Sequence, residues 1–244
     1  MARKVTAKHR LSRKDPQRIV VVSAHPDDAE LALGASIACW SASGIEVFIV
    51  DLTNGEPTPF GTPSRRLREA SRAGALLNIA GRRCLGFKNR ELVDSNSARR
   101  ALANVFRELR PNVVFSHCWE DVHPDHVAAC SITEAARFTG KLSKAGLVGE
   151  PFFVPSILYY PSIHVRLRAL PSFVLDCSFG CEPKLQALKA YESQFLLNPA
   201  NVSVLARVKT DGEYWGNQIN VRFGEPVYSR DPVKMLPTGL LNLS

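Results

Sequence analysis

Hydrophobic positions along this chain alternate between two patterns. Short continuous apolar runs, as expected of strands buried on both faces of a sheet, occur at Arg18–Ala24 (RIVVVSA), Glu46–Leu52 (EVFIVDL) and Asn112–His117 (NVVFSH), with a shorter run at Arg83–Phe87. Helix-like segments lie between them. Ala29–Ser43 is Ala/Leu-rich and stops at Gly44, a residue suited to a helix C-cap. Ser64–Ala80 sets Leu67, Ala70, Gly74 and Leu77 on one helical face. Ser97–Leu109 is stopped by Pro111, and a further helix is expected from about Asp125 to Thr139. Thr53–Pro63, dense in Gly, Pro, Thr and Asn, reads as a loop.

This strand–helix alternation predicts an α/β fold: a Rossmann-like, three-layer domain with a mostly parallel sheet, helices on both faces and right-handed crossovers. The last third is less regular. Ser156–Tyr160 and Ser172–Cys177 read as strands, and Glu182–Phe195 and Asp211–Val221 as helices. No GxGxxG follows the first strand, so a dinucleotide is not supported.

Length and charge refine the picture. The 244 residues fit one domain, 18–244, behind a basic arm, 1–17, that is expected to be solvated and flexible. The net charge of +8 invites a nucleic-acid reading, but Met1–Arg18 alone holds seven Lys/Arg against one acid. No zinc-finger, RNP or homeodomain-like pattern accompanies it, so no specific nucleic-acid partner is expected. The basic start leads into no apolar h-region, and no apolar run is of membrane-spanning length. The six cysteines show no CxxC; Cys39, Cys84 and Cys130 read as small core residues of a cytoplasmic protein.

The chemistry gathers where two apolar runs end. His25-Pro26-Asp27-Asp28 follows the first strand, and His123-Pro124-Asp125-His126 follows the fourth. Each fragment alone can be a Pro turn with an Asp N-cap. Ligands of an open parallel sheet, however, bind beyond its carboxyl edge, at the point where strand order reverses. If the two strands are neighbours there, six ionisable groups meet. Two imidazoles and a carboxylate among them would suit catalytic zinc or ferrous iron. His117 and His164 lack partners in the sequence and read as structural, as do Trp40, Trp119 and Trp215.

The paired motifs resemble the signature of the LmbE-like/PIG-L family of metal-dependent N-deacetylases, A-H-x-D-D and H-P-D-H. Similarity continues through Asp51–Ala70 (DLTNGEPTPFGTPSRRLREA) and Ala190–Phe195 (AYESQF), and spans roughly Arg18 to Tyr228. Cys118, Trp119 and the first 17 residues lie outside the pattern. The resemblance implies His25, Asp28 and His126 as ligands of Zn2+, with Fe2+ possible, and Asp27 as general base. It implies a protonated His123 at the oxyanion, held by Asp125, and Arg66, Asn54 and Glu56 on the substrate. The implied activity is removal of the N-acetyl group from an N-acetylglucosamine-type conjugate by a homo-oligomer. Two alternatives stand beside it: an amidohydrolase acting on another amide, and a polyanion-binding protein with a vestigial metal site.

Overall fold

A computed structural model describes residues 16–164 and 170–233. The expected basic arm, 1–17, lies outside the described residues apart from Pro16 and Gln17. Five strands form one parallel sheet: β1 (Arg18–Ser23), β2 (Glu46–Thr53), β3 (Gly81–Phe87), β4 (Val113–His117) and β5 (Ser156–Tyr160), in the order β3-β2-β1-β4-β5. The order reverses between β1 and β4, which pair directly through Ile19–Val113, Val20–Val114 and Val21–Phe115. The two motif-bearing loops therefore emerge side by side at the carboxyl edge.

Alternation along the strands loads both faces. Ile19, Val21 and Phe115 pack against α1 (Asp28–Ala42), α2 (Pro63–Leu76) and α5 (Cys181–Lys189). Val20, Val22 and Val114 pack against α3 (Asn96–Leu109) and α4 (Pro124–Gly140). This is the expected three-layer α/β architecture. Along α2 the buried stripe is Ala70, Ala73 and Gly74, continued by Leu77 just past its end, whereas Leu67, expected on that face, is 65% exposed and the buried side chains beside it are Arg66 and Glu69. Cys84 is likewise exposed rather than core, because β3 is an edge strand with little packed over it.

The C-terminal third departs most from expectation. The helix expected over Glu182–Phe195 is broken at Ala190–Tyr191 into α5 and a short α6 (Glu192–Phe195). A helix begins at Val204, not Asp211, and runs to Gln218 as α7. The strand β6 (Phe173–Asp176) pairs antiparallel with β7 (Gly224–Val227), which has no counterpart in the apolar pattern. Its Glu225 is buried and serves α1: that helix leaves helical geometry at Leu33, and the Glu225 carboxylate accepts from the Ala35 and Ser36 N–H groups at 3.0 and 2.8 Å. Lys184 balances the charge at 2.6 Å.

Candidate metal centre

The turn after β1 places its two acids differently. Asp27 occupies the N-cap position of α1 with a left-handed backbone (φ 106°), yet its side chain makes no capping bond. Its Oδ2 instead accepts from Arg66 Nη2 at 2.8 Å. Asp28 is the first helical residue, and its Oδ2 accepts from the His25 N–H at 2.8 Å, so the turn closes on itself. The simple Asp-cap alternative therefore does not describe this turn. After β4 the N-cap is His123, whose Nδ1 accepts from the Asp125 N–H at 3.2 Å. The Asp125 carboxylate is thereby left for other partners.

His25, Asp28 and His126 present donor atoms that lie within 4.8 Å of one another, all from buried residues. His25 Nδ1 and His126 Nε2 face opposite oxygens of Asp28, at 3.3 and 3.4 Å. The far nitrogen of each ring meets a carboxylate: His25 Nε2 to Asp125 at 3.1 Å, His126 Nδ1 to Asp121 at 2.9 Å. Imidazoles backed by carboxylates, with one shared carboxylate between them, fit the preferences of a divalent zinc- or iron-type cation. In two further groupings the donor atoms also lie within 4.8 Å of one another, His25 with His123 and Asp125, and His117 with Asp121 and His126. They fit less well. The His117 and His126 rings are stacked 4.0 Å apart at 14°, so their in-plane lone pairs run side by side instead of converging. In the other grouping, His123 Nδ1 accepts from the Asp125 N–H at 3.2 Å, so the neutral ring carries its proton on Nε2 and has no free lone pair for a cation.

Electrostatics follow from this crowding. Burial pushes Asp27 up to about 7, against the Arg66 guanidinium that favours its charge. Burial is the largest single influence on His25 and His126 and opposes their charge, but the carboxylates around them together outweigh it, Asp28 with Asp125 for His25 and Asp28 with Asp121 for His126, and raise them to about 9 and about 10. Asp28 itself is held well below the usual carboxylate range: burial opposes its charge, and His126, His117 and His25 outweigh that.

Several expected roles change. Asp125 meets the His123 ring through its backbone N–H alone; its carboxylate serves His25 and the Arg90 N–H. His123 is lowered rather than raised, by burial and by the neighbouring His25 and His126, with Asp125 opposing more weakly. Because Nδ1 accepts the Asp125 N–H, the ring proton of neutral His123 sits on Nε2. Arg66 is 3% exposed, and besides Asp27 its Nη2 reaches the Pro26 carbonyl at 2.6 Å. Glu56 folds back onto the Thr58 N–H and hydroxyl, and Asn54 Oδ1 accepts from the Glu56 N–H.

Two residues escaped the sequence reading. Asp121 sits two positions ahead of the H-P-D-H motif, and that proximity was its only signal. His117, read as structural, stacks on His126 and places Nε2 3.2 Å from Asp28. His164 is exposed, with its ring centroid 6.1 Å from that of His126.

With this geometry in place, comparison with known proteins is informative. The family model described as PIG-L, GlcNAc-PI de-N-acetylase, matches residues 20–137. A diacetylchitobiose deacetylase of Thermococcus kodakarensis is 29% identical over 87% of this chain and 83% of its own length. A 1D-myo-inositol 2-acetamido-2-deoxy-alpha-D-glucopyranoside deacetylase of Catenulispora acidiphila is 27% identical over 79% and 72%. The crystal structure of a conserved protein, TT1542, from Thermus thermophilus superposes with a TM-score of 0.82 at 39% identity, covering 90% of this chain and 97% of that one.

Proposed function

This chain belongs to the PIG-L family, and from that premise we propose that it is a metal-dependent hydrolase that removes the N-acetyl group from N-acetylglucosamine-type sugar conjugates. The observation that carries the proposal is the convergence of His25, Asp28 and His126 beside an Asp27 carboxylate that is not spent on capping its helix. His25, Asp28 and His126 would hold the cation, zinc first and ferrous iron second. When bound, it supplies Lewis acidity to the acetamide carbonyl and to the attacking water.

The chain's own residues then divide the proton work. Arg66 fixes one oxygen of Asp27, and the other takes a proton from the attacking water. His123 donates its Nε2–H to the carbonyl oxygen as negative charge develops there, and does so as a neutral ring. Asp27, now protonated, returns the proton to the departing sugar amine. Asp125 holds His25 in orientation rather than acting on the substrate. Asn54 and Arg66 stay at the sugar side of the site, while Glu56 shapes the loop that carries Asn54. The family resemblance also supports a homo-oligomer, and the scattered cysteines support a cytoplasmic setting; among the described residues no helix is long and apolar enough to cross a membrane.

The test is acetate release by zinc-loaded protein, with and without chelator, from GlcNAc, GlcNAc-malate, GlcNAc-inositol, diacetylchitobiose and an N-acetylated non-sugar amine. Chelator-sensitive release from a GlcNAc conjugate is expected. Release from the non-sugar amine alone would move the activity to another amide.

A further inference from the structure

We propose that Asp121 is a positioning residue of the metal centre, which sets the rotation of the His126 ring and anchors the backbone of the H-P-D-H turn with the same carboxylate. The inference rests on His25, Asp28 and His126 being the ligand set. Asp121 lies in the loop between β4 and α4, and its side chain is 2% exposed. Oδ2 faces His126 Nδ1 at 2.9 Å, and Oδ1 accepts from the His123 N–H at 2.8 Å.

His126 is the central ring of a stack. His117 lies 4.0 Å from it at 14°, and His123 lies 4.7 Å from it at 19°. Stacking fixes the plane of a ring but not its flip within that plane. A flip would exchange Nδ1 with a carbon and take Nε2 away from Asp28 Oδ1, which it faces at 3.4 Å. The Asp121 carboxylate only accepts hydrogen bonds, so it keeps a proton on Nδ1 and leaves the Nε2 lone pair for a cation. Without it, neither the flip nor the tautomer is decided by the stack.

The second bond links this choice to the turn. Two acceptor oxygens are required, one for His126 and one for the His123 N–H. Asparagine is nearly isosteric but offers only one acceptor, so it can satisfy either partner and not both. Leucine satisfies neither.

The experiment measures the zinc dissociation constant by competition with a chromophoric chelator, for the full chain and for Asp121→Asn, Asp121→Leu and His126→Ala. The melting temperature of each metal-free protein and the visible spectrum of each cobalt-loaded one are recorded alongside. Asp121→Asn should weaken zinc by about 10–100-fold, as loss of a ligand's supporting partner does. Asp121→Leu should weaken it further. The metal-free melting temperature of Asp121→Asn should stay near that of the parent, and its cobalt spectrum should change. Parent-like zinc affinity in both Asp121 variants, with zinc lost in His126→Ala, would overturn the inference and leave the ligand set standing. Zinc held as tightly by His126→Ala as by the parent would overturn the ligand set, and the inference with it. A metal-free melting temperature that falls in step with affinity in Asp121→Asn would make Asp121 a residue of the fold and not of the metal centre.

Discussion

At the end of β1 the acids are held by arginines that arrive from elsewhere in the fold. Arg66 of α2 reaches Asp27 at 2.8 Å. Arg82 of β3 reaches Glu30, in the first turn of α1, at 2.5 Å and clamps Asp51 through two further bonds of 2.6 and 2.9 Å. At the end of β4 the acids do the holding: Asp121 supports His126 and Asp125 supports His25. The same short grammar, His-Pro-Asp before a helix, thus builds two different devices. One presents carboxylates steadied by fixed cations. The other steadies imidazoles with fixed carboxylates. The base, Asp27, has the first arrangement and the imidazole ligands have the second, while the carboxylate ligand Asp28 is held by the His25 N–H and His117.

The strongest way to break this comparison is at Arg82. Its side chain is largely buried with Glu30 and Asp51, and Tyr191 adds a 2.9 Å bond to the same Glu30 oxygen. Arg82→Met would leave two buried carboxylates without their cation, a loss of about 3–5 kcal/mol, read by denaturant unfolding. The turn after β4 should keep its internal bonds, so the loss should appear as lowered stability of the whole domain rather than as altered ligands in the protein that remains folded. An unfolding midpoint equal to the parent's would mean that Arg82 is not what steadies Glu30 and Asp51.

Asp27→Asn sharpens the contrast within one turn. Asparagine tolerates the left-handed backbone that Asp27 adopts at φ 106°, so shape and metal content should persist. Turnover should fall by about two orders of magnitude or more, because the proton acceptor is gone. Metal analysis beside steady-state kinetics checks both halves; undiminished turnover would remove Asp27 from the role of base.

The smallest expected effect concerns pH. His25 and His126 are raised to about 9 and about 10, because Asp28 together with Asp125 and Asp121 overcomes the opposing effect of burial. Below those values a cation must displace ring protons, so affinity should rise with pH, by about tenfold to a hundredfold per unit between pH 6 and 8. Chelator competition across that range measures the slope, and a flat profile would mean the rings are already neutral.

Much of this was readable in the sequence, for identifiable reasons. Strands β1, β2 and β4 announce themselves as apolar runs, and both motifs sit at strand ends, so the fold class followed from local pattern, while the meeting of the two loops hung on β1 and β4 being neighbours, which their pairing supplies. What escaped depends on contacts distant in the chain. Asp125 and His25 are partners across 100 positions, and no spacing within H-P-D-H reveals that Asp125 turns away from His123. Glu225 caps the interior of a helix 190 positions earlier. β7 is a short strand, Gly-Glu-Pro-Val, without an apolar run, and it exists because β6 and α1 offer it partners. Arg66 was expected on the substrate, and only the position of α2 against the β1 turn makes it the anchor of Asp27.

The most direct test of the whole account is a crystal of the full chain grown with zinc and measured at the zinc absorption edge. The account expects one anomalous peak within bonding distance of His25, Asp28 and His126, with Asp27, Asp121 and Asp125 outside that distance. A peak bound instead by His117 and Asp121, or by His123 and Asp125, would contradict it.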